Sequence, residues 1–248
     1  MNGIVRALWR HPIKGHGREA METFDLTSGT TIPWDRRWAV AHEAARTDGS
    51  DWAPSAHFSR GSKVPALMAI NAVSNEAAGT VTLTHPQLDP LTFNPDSDSA
   101  RFLDWVRPIM PADRAASARI VRVDGRGMTD TPYPSVSLIN LASNDDLSDR
   151  MGAEISPLRW RCNIHFDGLP AWSEFDWTGR NIRVGSAELT VREPILRCMA
   201  TTANPATGIR DLDTLGALKT NWNHQDFGIY AEVTRSGRVA IGDIVQAL

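Results

Sequence analysis

The feature that most constrains this chain is a succession of short runs with β-type composition, cut at near-regular intervals by Gly, Pro, Asn and Asp. Gly3 to Trp9 opens the series and His11-Pro12 breaks it. Met21 to Leu26 alternates, Arg37 to His42 follows, and Val64 to Asn71, Gly79 to Thr84 and Pro90 to Phe93 continue the pattern. Short strands separated by turn residues predict a barrel or sandwich. Later strands are predicted at Ala118 to Val123, Arg159 to Phe166, Asn181 to Val184 and Ala187 to Val191. A terminal hairpin, Phe227 to Thr234 with Arg238 to Ile241, is expected to turn at Ser236-Gly237.

Three stretches carry helical spacing instead. Asp98 to Arg107 places Phe102, Leu103 and Val106 on one stripe, with Asp98 or Ser99 as cap and Pro108 and Pro111 as stop. Leu138 to Met151 reads as a helix with Ser143 or Asn144 as a cap, and Asp211 to Thr220 as one with Leu212, Leu215 and Leu218 inward. The fold class is therefore mainly β with a few helices. The 248 residues suffice for two parts, divided in the Pro-rich stretch 108–116, giving segments 1–112 and 113–248.

Charge excludes some partners. Net charge is −3 and Arg is scattered, so no basic stripe marks a nucleic-acid polymer as partner. No run reaches the roughly 18 apolar residues of a membrane helix, and residues 1–12 lack a signal-peptide core. The expectation is a cytoplasmic protein with no membrane partner.

Candidate chemistry narrows quickly. No histidine pair has zinc-site spacing, there is no G-x-S-x-G or S-x-x-K, and Asp124-Gly125-Arg126-Gly127 lacks the Lys and Ser/Thr of a P-loop, so it reads as a turn. Trp34, Trp38, Trp160, Trp172 and Trp177 stand among charged residues, where they can pack the core or wall a cleft. Cys162 and Cys198 make no disulfide framework. Pro194 is expected to draw the chain out of its sheet into a loop that presents Cys198 just after Arg197. A cation beside a thiol favours the thiolate, the form that binds metal or attacks. Thr201, Thr202 and the turn Asn204-Pro205-Ala206-Thr207-Gly208 follow.

Arg197-Cys198-Met199-Ala200-Thr201-Thr202 with Pro205-Ala206-Thr207-Gly208 resembles the signature of the MOSC superfamily. Other segments resemble its elements in order: Pro12-Ile13-Lys14-Gly15, Trp34 to Trp38, Thr129 to Ser143, Arg161-Cys162-Asn163, Trp172 to Trp177, Phe227 to Tyr230 and Arg238 to Val245. The resemblance covers nearly the whole chain and implies a MOSC β-barrel preceded by a smaller N-terminal β-barrel-like domain, with a molybdenum cofactor in the cleft between them. It implies Cys198 as the metal's thiolate ligand. Lys14, Gly15, Arg36, Arg37, Ser135, Arg161, Asn163, Leu196, Arg197 and Tyr230 are the implied cofactor contacts, with Thr131 as a further polar partner.

In activity the resemblance implies an oxidoreductase that reduces small N-hydroxylated compounds, amidoximes and hydroxylaminopurines. A separate electron-transfer protein carrying flavin, haem or iron–sulfur would supply electrons, since no cysteines remain here for a cluster. The alternative is a carrier or sulfur-transfer protein that uses Cys198 as persulfide or metal ligand. Family-level associations also include pyridoxal phosphate. The chain departs from the amidoxime reducers in having Ile195 where they carry a second Cys, Cys162 where the R-x-N element often has Pro, and Gly15 where Ser is usual.

Overall fold

The computed structural model describes residues 2–248. Its strands are β1 (Gly3–Arg10), β2 (Ile13–Lys14), β3 (Glu19–Met21), β4 (Thr23–Leu26), β5 (Trp38–His42), β6 (Asn71–Asn75), β7 (Thr80–His85) and β8 (Leu88–Phe93), then β9 (Ser117–Val121), β10 (Val136–Asn140), β11 (Ile164–Asp167), β12 (Asn181–Val184), β13 (Ala187–Leu196), β14 (Asp226–Arg235), β15 (Gly237–Ala240) and β16 (Ile244–Ala247). The helices are α1 (Ser99–Val106), α2 (Leu141–Met151) and α3 (Thr214–Trp222). The expected mainly β class with a few helices is what is found.

The principal sheet runs β11-β10-β14-β13-β12-β16-β1, and β1 pairs back onto β11, closing seven strands into a barrel. The pairs are antiparallel except β10 with β11. Strands of the C-terminal part supply six staves and the first strand of the chain supplies the seventh. Closure abolishes the free edges of an open sheet. Val5, Leu8, Val136, Leu138, Ile164, Phe166, Leu189 and Ile229 fill the interior.

The N-terminal part is built from two three-stranded sheets, β2-β5-β9 and β6-β7-β8. Their inner faces and α1 share a core of Ile13, Trp38, Leu67, Leu83, Phe93 and Phe102. Strand 117–121, expected to open the second part, pairs with β5, so the chain crosses between the parts after it. α2 and α3 cover Leu147, Trp160, Leu218 and Phe227 outside the barrel. No helix among the described residues is long and apolar enough to cross a membrane.

Several local expectations are corrected. The run 64–71 is a 3-10 turn over Pro65–Ala69 before β6, because proline fixes φ and donates no hydrogen bond. The stretch 138–151 divides at Asn140. Residues 136–140 are all buried as a strand between β11 and β14, and the Asn140 side chain, rather than Ser143 or Asn144, caps α2 by accepting from Ala142 N. The stretch 159–166 begins as a 3-10 turn, Pro157–Trp160, ended by Arg161 in left-handed conformation (φ 50°). Asp98 precedes α1 without a side-chain cap, its carboxylate accepting from Arg101 instead. β15 pairs with β4, so the expected terminal hairpin is absent; Ser236 Oγ accepts from Ser28 N at 2.9 Å.

β13 continues through Pro194 to Leu196 instead of stopping at Val191. Its pairing with β14 slips between Val191 and Glu193 and between Pro194 and Leu196. Such irregularities accommodate a residue without N–H, so the proline stays in the strand.

Candidate functional site

A cavity of about 550 Å³ lies between the two parts. The N-terminal part contributes Lys14, Gly15, Arg36 and the turn Arg60–Lys63; the barrel side contributes Ser137, Trp160, Arg161, Leu196, Arg197, Cys198 and Tyr230. Seven lining residues are cationic (Lys14, Arg36, Arg60, Lys63, Arg159, Arg161, Arg197) and Asp130 is the one carboxylate.

Cys198 stands just past β13 and caps the 3-10 turn Met199–Thr202 with extended backbone (φ −123°, ψ 174°). Its side chain is exposed and lines the cavity. Thr201 and Thr202 are buried and serve the turn: Thr201 N and Oγ1 both donate to Cys198 O at 3.1 Å, and Thr202 Oγ1 donates to Met199 O at 2.8 Å. The loop beyond is anchored on the N-terminal part. Buried Arg18 donates to Met68 O at 2.6 Å and Pro205 O at 2.7 Å, and Arg210 donates to Ser62 O at 2.9 Å. A Cβ on Gly208 (φ 72°) would lie 2.6 Å from Ala66 Cα, so only glycine lets the loop dock there.

Arg197, expected to activate Cys198, turns the other way. It donates through Nε to Phe227 O at 2.7 Å, through Nη1 to Trp160 O at 2.8 Å and through Nη2 to Cys162 Sγ at 3.1 Å. Its guanidinium is therefore committed to those acceptors and not to the neighbouring thiol, although both residues line the cavity. Gly228 makes room for this guanidinium: a Cβ there would meet Leu138 O at 2.5 Å and Arg197 Nη2 at 3.2 Å.

Three further cations stand in the floor, Lys14 and Arg36 buried and Arg161 half-buried. Lys14 Nζ donates to Met128 O at 2.9 Å and to Asp130 Oδ1 at 2.5 Å, which leaves one of its three donors. Burial lowers its pKa; Asp130 pulls it back part of the way. Burial works upward on Asp130, but Lys14 and then Arg36 prevail and hold its carboxyl below the usual range. Arg36 Nη1 donates to Asp35, and its Nη2 donates to Arg161 O at 3.0 Å.

Arg161 is the exception among them. Nη2 donates to Gly17 O at 3.0 Å, but among the described residues Nη1 is buried without a partner and no carboxylate pairs with the guanidinium. Burial, then the charges of Arg36 and Arg18, push its pKa down to about 9. It remains a cation at neutral pH, in a place where a cation is disfavoured. An anion in the cavity relieves both defects.

Tyr230 lines the cavity, and burial followed by Asp130 raises its pKa, keeping the phenol a proton-bearing donor. Gly15 (φ 76°) would place a Cβ 2.8 Å from Ser59 O; the missing serine is therefore a consequence of backbone packing. Leu196 is 73% exposed and forms an apolar lip with Met199.

Four expected contacts, Thr131 among them, fall outside the lining. Ser135 is buried and accepts from Thr131 Oγ1 at 2.8 Å. Asn163 spends its amide inside the protein: Oδ1 accepts from Ser137 N and Oγ at 3.1 and 2.8 Å, and Nδ2 donates to Trp9 O at 3.1 Å. Arg37 lies over Trp34 and Trp38 at 5.4 and 5.3 Å and lines a separate hollow. Of the tryptophans, Trp160 walls the cavity, stacked on Phe227 at 3.8 Å. Asp130, Ser137, Arg159 and the Arg60–Lys63 turn were not singled out from sequence; each reaches the cavity only through long-range packing.

The donor set bears on a metal. Among the described residues no three His, Cys, Asp or Glu converge, so a metal beside Cys198 has to bring most of its ligands with it. A molybdenum cofactor does so through its dithiolene sulfurs, and its phosphate suits the unpaired Arg161. The residues present fit that group.

Comparison with known proteins agrees with this architecture. Residues 128–246 match the model of the MOSC domain, and residues 2–107 that of the MOSC N-terminal beta barrel domain. Mitochondrial amidoxime-reducing component 1 of Danio rerio is 25% identical over 98% of this chain and 84% of its own length. Mitochondrial amidoxime reducing component 2 of Homo sapiens is 30% identical over 46% of this chain and 37% of its own length. The crystal structure of the YUAD protein from Bacillus subtilis aligns with a TM-score of 0.47 at 14% identity, covering 99% of this chain and 94% of that one. With both domain models matched in order along the chain, the protein belongs to the MOSC family.

Proposed function

We propose that this protein is a cytoplasmic oxidoreductase that holds a molybdenum cofactor in the cavity and reduces small N-hydroxylated compounds with electrons from a separate electron-transfer protein. The observation that carries the reading is one cavity with an exposed thiol, Cys198, at its edge and, in its floor, the half-buried Arg161, whose Nη1 is buried without a partner among the described residues. The relatives named as amidoxime-reducing components support the substrate class.

Cys198 would hold the metal, and Arg161 with the remaining donor of Lys14 would hold the phosphate. Tyr230 would offer its hydroxyl to the pterin, whereas the Ser137 hydroxyl is committed to Asn163. When bound, the cofactor supplies two-electron reduction of the N–O group. The chain's own residues bind and orient: the buried Thr201 and Thr202 fix the Cys198 turn, and Tyr230, protonated at neutral pH, can donate a hydrogen bond into the cavity. Carboxylates balance Lys14, Arg36 and Arg159, so charge contributed by an anion is met chiefly by Arg161.

A second reading, transfer of sulfur or of the cofactor itself, draws on the exposure of Cys198, which leaves the thiol open to a partner protein. The deciding experiment incubates molybdenum-loaded protein with a hydroxylaminopurine or amidoxime and a chemical electron donor. Formation of the deoxygenated product by wild type and not by Cys198→Ala is expected. Loaded protein that forms no product sinks the reductase and leaves the carrier.

A further inference from the structure

We propose that the turn Arg60-Gly61-Ser62-Lys63 is a second anion site, at the rim of the cavity, and that it takes a phosphate carried by the substrate. The inference deepens the reading above: the preferred substrate becomes an N-hydroxylated nucleotide rather than a free base.

The turn is tight, with Lys63 N and Val64 N both donating to Arg60 O at 3.0 Å. It is pressed against the Cys198 loop, since Gly61 abuts Met68 and Ala200 and Ser62 O accepts from Arg210. Its charged groups stay uncommitted. Arg60 and Lys63 make no ion pair or side-chain hydrogen bond among the described residues, and the N–H groups of Gly61 and Ser62 have no partner there either. Arg60 and Lys63 also border a shallow groove containing Asp113, without pairing to it.

Charge accounting around the cavity separates two anion places. Asp130, Asp35 and Asp211 pair with Lys14, Arg36 and Arg159. Arg197 is committed to Phe227, Trp160 and Cys162. What remains is Arg161 in the floor and the half-buried Arg60 with the exposed Lys63 at the rim. A pterin with one phosphate needs the first place and leaves the second. A planar guanidinium fork beside an ammonium and uncommitted backbone N–H groups is the chemistry that recognises a phosphomonoester. Cys198 lines the same cavity, so a nucleotide anchored at the rim can extend its base toward that end.

The test uses cofactor-loaded protein and two probes, adenosine monophosphate and adenosine, titrated calorimetrically into wild type, the double variant Arg60→Ser/Lys63→Ser, and Lys63→Glu. Wild type should bind the phosphorylated probe tighter by on the order of tenfold or more, the scale of one charged hydrogen bond. The preference should fall to near one in the double variant and drop in Lys63→Glu. Equal binding of both probes by wild type, or a preference that the substitutions leave untouched, overturns the proposal. So does loss of cofactor with the preference intact, since the turn would then serve the cofactor. A parallel measurement takes kcat/KM for a hydroxylaminopurine as nucleotide and as base. Protein that binds the phosphorylated probe preferentially but reduces neither compound refutes the reductase while upholding the anion site.

Discussion

The guanidinium of Arg197 donates to Cys162 Sγ at 3.1 Å and leaves Cys198, its neighbour in sequence, free at the edge of the cavity. The two thiols of the chain therefore live differently. One is buried, held by a cation stacked 5.5 Å above the Trp160 ring. The other is open to reagents.

The first prediction concerns that difference. In cofactor-free native protein, iodoacetamide should label Cys198 and spare Cys162, read by peptide mass spectrometry. Cofactor loading should protect Cys198. Labelling of both thiols at similar rates would show that the Arg197 shelf does not hold.

Arg197→Ala removes four donor contacts to two carbonyls and a sulfur inside the shelf under α2 and α3. A loss of about 2 kcal/mol in unfolding free energy is expected, since each charge-assisted hydrogen bond contributes on the order of 1.5–3 kcal/mol and the vacated carbonyls recover some water. Urea denaturation measures it, and Arg197→Lys should restore only part because an ammonium cannot span the same acceptors.

Glu174 gives a pH-dependent prediction. It is fully buried beside α2, accepts from Ser143 Oγ at 2.8 and 3.0 Å, and has no cationic partner among the described residues. Burial pushes its pKa up from 4.5 to about 7. The folded state thus retains its proton over a range where the unfolded chain has lost it. The resulting destabilisation is absent below the unfolded pKa of about 4.3, grows as pH rises, and is complete above about 7. Glu174→Gln should therefore match wild type near pH 4 and be the more stable protein at pH 8, by up to about 3 kcal/mol. The difference between the two proteins cancels the titrations of His16 and His165, which burial pushes down to about 4 and about 3. A difference independent of pH would mean that Glu174 is ionised throughout.

Gly15→Ser tests whether a departure from the family pattern is structural. The backbone there is left-handed and a Cβ would sit 2.8 Å from Ser59 O. The variant should lose about 1–3 kcal/mol of stability without gaining cofactor affinity. An unchanged melting temperature would contradict the backbone argument.

Much of this was legible in the sequence, and the gaps have physical causes. Alternation and turn residues marked β1, β5, β7 and β12, because a short strand with one buried face writes its own pattern. The stretch 138–151 reads as one helix because β10 is buried on both faces and shows no alternation. β1 as the closing stave of the C-terminal barrel has no local signal; it follows from pairing with β11 more than 150 residues away. In the candidate site, Lys14, Arg36, Arg161 and Cys198 are expected from motifs, and the structure places them around one cavity. Asn163 carries motif identity but is consumed by strand contacts, which only the hydrogen-bond partners reveal. Arg60 and Lys63 belong to no motif, and their role depends on the docking of two parts.

The central claim is that Cys198 and Arg161 together retain a molybdenum cofactor. The most direct measurement is molybdenum content per chain, by elemental analysis, of wild type, Cys198→Ala and Arg161→Ala purified from a host that makes the cofactor. The account predicts near-stoichiometric metal in wild type, none in Cys198→Ala, and reduced content with faster pterin release in Arg161→Ala. Metal retained in full by Cys198→Ala, or absent from all three, would contradict it.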